Sequence, residues 1–435
     1  MWEHLPPKIR LRGTPRVAEP AARQLRADFE RFRAGLPKPL EPYILSTYGI
    51  DLASEYGGRR IQNPFGKASG QLSLAAHQVE RDAQAGLGFV VLKTVIAQNV
   101  LGEQTMAAWA IPETRMLVER IQGRSSGCGW TVTWKGRGWF DSFDAYLKLF
   151  DAALAIGRQS GLVVAPSVKY HLPTPAEDCW KEDEYVFTTQ ALAEIWRRYH
   201  KESVMPLEKD FSPTLAGSER ATQQAKILEW LLMVPRLIHR AVPGQVCVGL
   251  KIFNAMFEDD FQLRMLGAVE ETRGGEDRAD FMVYANRLFD PAKTFEEKRG
   301  VAYGGPDLSD RNLAILERFL GATQRTGART GPGMLPLSAT GDIHSGRTAV
   351  EYLLRGASSF QMHTIFQLPD SEFTMQVGNR TEKAMHYLIF HPQDGFLAWL
   401  LDLRARCGWD AAWNVAALAD WSRQHWKIVA SELSQ

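Results

Sequence analysis

The sequence predicts a (β/α)8 TIM barrel, and three observations support this fold class. Apolar, β-branched runs recur along the chain, at 88–94, 162–168, 245–252, 279–286, 334–340 and 358–364. Helical stretches separate many of these runs, for example at 142–159, 222–241 and 310–320. Near-continuous apolar strands that alternate with helices are typical of a parallel sheet covered by helices. Weaker runs near 64–70 and 129–134 bring the strand–helix units to eight, the number that closes such a barrel.

Two extensions flank the predicted barrel, which we place at residues 44–375. Residues 1–43 are rich in Arg and Pro, and their apolar side chains recur at helical spacing: Leu25, Phe29, Phe32 and Leu36. This spacing predicts a short amphipathic helix, which either packs on the barrel or lies on a membrane surface. The tail 376–435 is predicted to be helical, and its tryptophans are expected to serve packing.

One internal segment departs from a minimal barrel. Residues 171–216 follow the run at 162–168, which we count as the fourth strand, and they are mostly polar. A long loop at the carboxyl end of a barrel strand usually shapes the active site. We therefore predict an enlarged active-site loop over 171–216.

The composition fits a globular protein that acts on a small molecule. The 435 residues are 45% hydrophobic and 23% charged, with a net charge of +1. This balance provides no bulk field for nucleic acid or for an anionic membrane. No apolar run approaches the roughly 20 residues of a spanning helix. The first residues lack the apolar core of a secretory signal, so we expect a cytoplasmic protein.

The cysteines argue against a metal centre. The four of them, Cys128, Cys179, Cys247 and Cys407, are scattered and form no C-x-x-C motif. Because structural zinc and iron–sulfur clusters need clustered thiolates, we predict neither. Cys179 lies in a polar segment after a strand and is kept as a candidate for chemistry.

Residues at the ends of the predicted strands are candidates for ligand binding, because barrel enzymes place their active site there. Ala68, Ser69 and Gly70 end the first run, and such small residues let the backbone approach a flat ligand closely. Lys93 and Lys251 end two other runs. A single strand-end lysine is explained by snorkelling, but two on different strands favour a shared anionic ligand.

Further candidates follow the later strands. The amide of Asn286 can both donate and accept, which suits a planar heterocycle. Gly304 and Gly305 precede one predicted helix, and Gly341 precedes another. Glycine turns at helix N-termini bind phosphate through backbone N–H groups and the helix dipole. In barrels this site typically follows strands seven and eight, where Gly341 and Thr364 stand.

These motifs resemble those of the dihydroorotate dehydrogenase family, which are FMN enzymes with a (β/α)8 barrel. They are most similar to the FMN domain of dihydropyrimidine dehydrogenase. The matching stretches occur in family order across about residues 44–375: NPFGKASG, LKT, GLKI, YANRL, YGG and ATGDIHSGRTAVEYLLRGASSFQ. The resemblance implies FMN as the cofactor, and a homodimer because family members are often dimers.

The resemblance also implies a role for each candidate residue. Ala68, Ser69 and Gly70 would lie along the isoalloxazine ring. Lys93 would reach the flavin and the substrate, and Lys251 would contact the ring and the ribityl chain, where a cation stabilises the reduced flavin. Asn286 would bind the substrate ring. The FMN phosphate would be held by Gly304, Gly305, Gly341 and Thr364.

Three departures from the family pattern bear on function. Asp342 stands where the family turn has a second glycine, and a carboxylate beside a phosphate is unfavourable unless it turns away. The Ser-Cys-Pro-Asn-like segment that ends the fourth strand is interpreted here as 167–171, where Lys169 is a candidate to bind substrate. The family's catalytic Cys or Ser has no match in that interpretation. The candidates for the general acid or base are therefore Tyr170, His171, Cys179 and Ser212.

Together these observations predict an FMN-dependent oxidoreductase that transfers hydride between flavin N5 and a small cyclic amide-like substrate. The departures disfavour dihydroorotate and dihydrouracil and point to specialised metabolism. With so few cysteines, the flavin would be reoxidised by a soluble acceptor, by oxygen or by a partner such as a flavin reductase. Two alternatives are an FMN-dependent oxidase or monooxygenase that uses oxygen, and a barrel without flavin that acts as a binding protein.

Overall fold

The computed structural model describes residues 7–434 except for 113–114, 126, 135, 175, 178, 212–223, 255–256, 273, 276–277, 296–297, 326–333 and 410–411. The strands are β1 (Ser54–Tyr56), β2 (Arg59–Ile61), β3 (Phe65–Lys67), β4 (Phe89–Val91), β5 (Val95–Ile96), β6 (Met116–Gln122), β7 (Cys128–Trp134), β8 (Val163–Ala165), β9 (Ser167–Lys169), β10 (Met205–Asp210), β11 (Val246–Phe253), β12 (Phe281–Asn286), β13 (Leu288–Phe295), β14 (Lys298–Tyr303), β15 (Leu337–Thr340) and β16 (Ala357–Met362).

The helices alternate with the barrel strands and continue beyond them. They are α1 (Glu19–Arg31), α2 (Leu40–Tyr48), α3 (Ala76–Gln84), α4 (Phe143–Ser160), α5 (Glu182–Tyr199), α6 (Gln224–Ala241), α7 (Asp259–Glu271), α8 (Pro306–Arg325), α9 (Gly346–Leu354), α10 (Arg380–Phe390), α11 (Phe396–Cys407), α12 (Val415–Gln424) and α13 (Trp426–Ser434). Short 3₁₀ turns lie at Phe32–Ala34, Ala107–Trp109, Thr364–Gln367 and Asp370–Glu372.

Eight parallel strand positions close into a barrel. Their order is β3, β4, β8–β9, β10, β11, β12, β15 and β16, and β16 pairs with β3 to complete the ring. The segments β8 and β9 are halves of one position, separated by Pro166, which has no N–H for the ladder. β8 pairs with β4, and β9 pairs with β10. The predicted (β/α)8 barrel is confirmed.

The hairpin β1–β2 closes the amino end of the barrel. The Tyr56 ring stacks on Phe89 with centroids 4.1 Å apart and meets Phe281 edge-on at 5.4 Å. Gly66 and Gly249 make room for these inward-pointing rings, because a Cβ on either glycine would collide with Phe89 or Phe281. The floor of the barrel is therefore a packed aromatic cluster, and any ligand must enter from the carboxyl end.

Two strand assignments made from the sequence are wrong, although the fold class is right. Residues 129–134 do not enter the barrel, because β7 pairs antiparallel with β6 in a separate hairpin. The fourth barrel strand is β10, and it lies with α5 inside 171–216, the segment expected to be one loop. The run at 162–168 thus belongs to the third position. The strand β10 reads as polar because it ends in Glu208, Lys209 and Asp210, yet all its residues are buried.

Two hairpins, β6–β7 and β13–β14, are inserted at the carboxyl end of the barrel, and we call them the roof hairpins. Arg287 joins them, because its Nη1 donates to the carbonyl of Ala302 at 3.0 Å and its Nη2 donates to the carbonyl of Val132. The N–H of Gly304 donates to Thr131 Oγ1 at 3.0 Å. These hydrogen bonds hold the two roof hairpins side by side.

The N-terminal helix packs on the C-terminal tail. Leu25 and Phe29 of α1 are buried, and the Phe29 ring stacks on His386 of α10 at 4.6 Å. Phe32 meets Phe390 at 4.9 Å. The apolar face of the helix is therefore covered by protein, as the packing alternative predicted. In the tail, Trp399 is buried as the sequence suggested.

No helix in the described part of the chain is both long enough and apolar enough to span a bilayer. Within the same residues, no group of three or more His, Cys, Asp or Glu side chains is arranged to hold a metal ion.

Candidate functional site

A cavity of about 810 Å³ lies between the carboxyl ends of the barrel strands and the roof hairpins. Its walls include residues from the ends of β10, β11, β12, β15 and β16, together with Trp134 of β7 and Phe289 of β13. Cofactor and substrate sites typically enclose about 300–1,000 Å³. The cavity is therefore large enough for a cofactor and a small substrate together.

Two buried lysines face this cavity from different strands. Lys93 follows β4 and Lys251 lies on β11, and they are only 4% and 5% exposed. Burial lowers the pKa of Lys93 to about 8; the carboxylate of Asp210 opposes this shift and Lys251 adds to it. Asp210 also lines the cavity, and its Oδ1 has no hydrogen-bond partner among the described residues. This wall carries an excess of positive charge and an acceptor that a polar ligand can satisfy.

A buried hydrogen-bond chain runs beneath Lys251. Its Nζ donates to Gln361 Oε1 at 3.4 Å, and Gln361 Nε2 donates to Glu208 Oε1. The same Glu208 oxygen accepts from the Tyr56 hydroxyl at 2.5 Å. Burial raises the pKa of the fully buried Glu208 carboxyl, while Lys251 opposes that shift. The chain links the aromatic floor to the cavity and fixes the direction in which Lys251 points.

The turn after β15 contains a left-handed residue other than glycine. Gly341 has φ of 113° and Asp342 has φ of 52°, a region that L-residues seldom adopt. A Cβ at Gly341 would lie 2.6 Å from Asn312 Nδ2, so this position requires glycine. Asp342 Oδ2 accepts from Ser309 Oγ at 3.0 Å and lies 3.3 Å from His344 Nδ1. The carboxylate is thus directed toward α8 and His344.

Asp342 favours the charged form of His344 beside this turn. Desolvation of the half-exposed imidazole opposes the charged form, but the Asp342 carboxylate outweighs it and raises the pKa of His344 to about 9. Its Nδ1 also lies 2.9 Å from the Asp342 carbonyl oxygen. Since Nδ1 faces Asp342, Nε2 is the nitrogen that remains to meet a ligand.

An aromatic and basic cluster forms the roof side of the cavity. The Arg287 guanidinium lies 3.6 Å from the centroid of Trp134, and burial lowers the pKa of Arg287 to about 9. His363 packs 5.1 Å from Trp134. Burial, followed by the charges of Arg287 and Lys93, lowers the pKa of His363 well below its ordinary value. His363 lines the cavity, and neither of its ring nitrogens has a hydrogen-bond partner among the described residues.

Eight of the residues predicted to bind cofactor or substrate line this one cavity: Ala68, Ser69, Lys93, Lys251, Asn286, Gly304, Gly341 and Thr364. Two other predicted glycines lie just behind it. A Cβ on Gly70 would come within 2.6 Å of His363 Cδ2, and one on Gly305 within 2.6 Å of Ile121 Cγ2. The barrel thus brings together strand ends that are far apart in the sequence.

Three other candidates pack behind the wall. Lys169 lies over the Trp109 ring at 4.7 Å. The Tyr170 hydroxyl is hydrogen-bonded to Thr189 Oγ1 at 2.6 Å, and burial raises its pKa. His171 is buried with its Nε2 3.6 Å from Glu177 Oε1, and burial lowers its pKa. None of the three lines the cavity in the described part of the chain.

The remaining two acid–base candidates differ in position. Cys179 is exposed in the segment before α5 and does not line the cavity. Ser212 lies outside the described residues. In the sequence it comes two residues after Asp210, the last residue of β10.

Several residues of the site were not singled out from the sequence. They are Asp210, Arg287, His344, Gln361, His363 and the roof tryptophan Trp134. Four of them have a usable signal, since Arg287 is part of YANRL, His344 is part of ATGDIHSGRTAVEYLLRGASSFQ, and Gln361 and His363 lie in the run at 358–364. Asp210 has none, because the polar residues that end its strand resemble a loop.

Comparison with known proteins supports the fold. No family model matches the chain, and no curated protein matches it. Among solved structures it is similar to the crystal structure of DHODH, dihydroorotate dehydrogenase, in complex with ferulenol from Eimeria tenella. The TM-score is 0.53 at 13% sequence identity, covering 87% of this chain and 94% of that chain. The dihydroorotate dehydrogenase-like fold is confirmed, and the closer likeness to the FMN domain of dihydropyrimidine dehydrogenase stays a prediction.

Proposed function

We propose that this chain is an FMN-dependent oxidoreductase that acts on a small cyclic amide-like substrate. The observation that carries the proposal is the meeting of Lys93 and Lys251 with the glycine turns at Gly304 and Gly341 in one cavity. FMN needs a cation near the polar edge of its ring and backbone donors around its phosphate. The structurally similar DHODH lends support at the level of fold.

The donors and acceptors of the cavity fit FMN. The turns at Gly304 and Gly341 precede α8 and α9, whose N-termini favour an anion. The N–H of Gly304 itself is engaged by Thr131 Oγ1, so the donors of this turn would come from the residues that follow it. Asp342 is engaged by Ser309 and His344, so its charge is balanced beside the expected phosphate. Asp210 Oδ1 and the His363 ring nitrogens are polar atoms without partners in the described part of the chain, and a heterocycle can satisfy them.

Bound FMN would accept or donate the hydride of the reaction. Lys251, oriented through Gln361, would supply a positive charge to the flavin ring as it gains electron density. Asn286 is held at two points, since its carbonyl accepts from Asn254 Nδ2 at 2.7 Å and its Oδ1 accepts the N–H of Arg287 at 3.1 Å. This arrangement leaves the Nδ2 group of Asn286 to donate to the substrate.

Ser212 is the proposed general acid or base. By the resemblance, the catalytic Cys or Ser follows the fourth strand, and that strand is β10 rather than the run at 162–168. The residues after β10, Phe211-Ser212-Pro213-Thr214, resemble the Ser-Cys-Pro-Asn-like segment, with Thr214 in place of the asparagine. The hydroxyl of Tyr170 is bound to Thr189 and His171 faces Glu177, which argues against either as the base.

The loss of the family asparagine supports a substrate other than dihydroorotate or dihydrouracil, and a role in specialised metabolism. Robust turnover of either compound by the purified protein would contradict this part of the proposal. A matched pair of variants tests the base. We expect S212A to bind FMN normally and to lose turnover, while S212C retains part of it. Full activity in S212A would exclude Ser212.

The first experiment is an absorbance spectrum of the purified protein, with the cofactor released by heat and identified. We expect one FMN per chain and flavin reduction by some members of a panel of cyclic amides. Oxygen consumption without another acceptor would assign the chain to the oxidases or monooxygenases instead. A homodimer and an external electron acceptor or flavin reductase also belong to the proposal, and size-exclusion chromatography tests the former.

A binding protein without flavin is the second candidate. The observation that favours it is Asp342, a carboxylate in a left-handed turn where the family has glycine. A colourless protein that cannot be reconstituted with FMN would decide for this alternative.

A further inference from the structure

We infer that Asp342 and His344 form a phosphate clamp, in which the His344 imidazolium binds the phosphate group of FMN through Nε2. The inference rests on the proposed function and adds a charged side-chain ligand to a turn that otherwise offers backbone groups. It also gives a reason for a carboxylate at a phosphate turn: Asp342 holds the histidine and does not face the phosphate.

The geometry of the clamp begins with Asp342. Ser309 Oγ donates to its Oδ2 at 3.0 Å, which ties the carboxylate to the first turn of α8. His344 Nδ1 lies 3.3 Å from the same oxygen. A carboxylate that faces one imidazole nitrogen orients the ring and leaves the other nitrogen for the ligand. The Asp342 side chain is 3% exposed and that of His344 is 49% exposed, so the anchor is buried and the cation is accessible.

The location fits a phosphate. Asp342 and His344 line the cavity together with their neighbour in the sequence Gly341, and Gly304 and Thr364 line the same cavity. The helix α9 starts two residues after His344, with Ser345 as its N-cap. A phosphate monoester is mostly dianionic above pH 6 or so, and a charge-assisted hydrogen bond to it is about twice as strong as a neutral one. The imidazolium therefore suits this place better than a neutral donor.

The other charges near His344 are largely paired among themselves. On α8 and α9, Asp310 and Glu351 both bind Arg10 of the N-terminal segment. Asp307 of α8 pairs with Arg124 at 3.9 Å. Arg347 of α9 donates to the carbonyl of Leu11. Across the cavity Lys93 also titrates, with its pKa lowered to about 8, so a pH experiment must separate it from His344.

Comparing FMN with riboflavin makes this separation. Both carry the same ring, so Lys93 and Lys251 act on both, and only FMN carries the phosphate. Fluorescence titration of the full chain gives the affinity for each flavin at pH 7 to 10. We expect H344A to weaken FMN binding about 10- to 100-fold, the range of one charge-assisted hydrogen bond, and to leave riboflavin binding unchanged. The exposed His77 provides the matched control H77A.

The preference for FMN over riboflavin should fall as the pH rises. The charged form of His344 is lost as the pH rises through about 9. The FMN-to-riboflavin affinity ratio of the wild type should therefore fall between pH 8 and 10. The variant H344R keeps its charge and should flatten this profile. Thermal unfolding of each variant checks that the fold is intact.

Other outcomes would overturn the inference. A wild-type ratio near one, together with tighter FMN binding by D342G, would mean that Asp342 blocks the phosphate position. An unchanged ratio in H344A would remove His344 from the site while leaving the proposed function in place. Failure of the wild type to bind any flavin would overturn both.

Discussion

Lys67 and Lys251 are both buried lysines of the barrel, and they serve different regions. Lys67 ends β3 and donates to Asp82 of α3 and to Thr381 Oγ1 of α10 at 3.2 Å. Lys251 lies on β11, faces the cavity and donates to the neutral amide of Gln361. A carboxylate partner satisfies the first charge inside the fold. Lys251 has an amide as its direct partner, and the Glu208 carboxylate lies one residue further along the hydrogen-bond chain, so the second charge can also act on a ligand in the cavity. This distinguishes a structural lysine from a functional one.

The largest effect should come from breaking the structural pair. We expect K67A to lower the free energy of unfolding by about 3–5 kcal/mol, because it leaves Asp82 buried without its cation. Urea unfolding measures this. The double variant K67A/D82A removes both charges and should recover part of the loss. Equal stability of K67A and the wild type would contradict the structural role of Lys67.

Replacing Lys251 should leave the fold intact and lower the affinity for FMN. We expect K251M to keep the stability of the wild type more closely than K67A does, and to bind FMN about 10- to 100-fold less tightly. Flavin fluorescence titration measures the affinity, with K148A on the exposed side of α4 as control. Unaltered FMN binding by K251M would remove the basis for placing the ring beside Lys251.

The burial of Lys93 should be measurable as a lowered pKa of its amine. Its pKa is lowered to about 8, so its amine becomes neutral and nucleophilic as the pH rises through 8. At pH 9 only about one-tenth of it stays charged. Labelling by trinitrobenzenesulfonate, followed by peptide mass spectrometry, should reach half its maximum near pH 8 and be prevented by FMN. A midpoint near that of exposed lysines would contradict the desolvated site.

The smallest change in stability is expected from a substitution at Tyr170, which packs behind the cavity wall. Y170F loses the hydrogen bond to Thr189, which should cost about 1 kcal/mol of stability without changing FMN affinity or turnover. A double-mutant cycle with T189V isolates this bond. A stable Y170F protein without turnover would indicate that Tyr170 is catalytic after all.

The same contrast shows what could be predicted from the sequence. Apolar strands such as β11 and β12 are predictable from the sequence, and motifs at the strand ends indicate eight residues of the cavity wall. The strand β10 was missed because Glu208, Lys209 and Asp210 are buried by partners far away, such as Tyr56 and Gln361. The roof was missed because two-residue periodicity cannot tell a barrel strand from a hairpin strand. Lys67 shows the converse limit, since its partner Asp82 cannot be identified from spacing.

The hydrogen bond from Arg287 to Val132 joins the two roof hairpins across a long stretch of the chain. The two residues are 155 positions apart in the sequence. Val132 is synthesised long before Arg287, so the two roof hairpins can be joined in this way only after residue 287 has been made. Separating the hairpins afterwards breaks the hydrogen bond between the Arg287 guanidinium and the Val132 carbonyl. The roof of the cavity is therefore completed by a contact between distant parts of the chain, and opening it has an energetic cost.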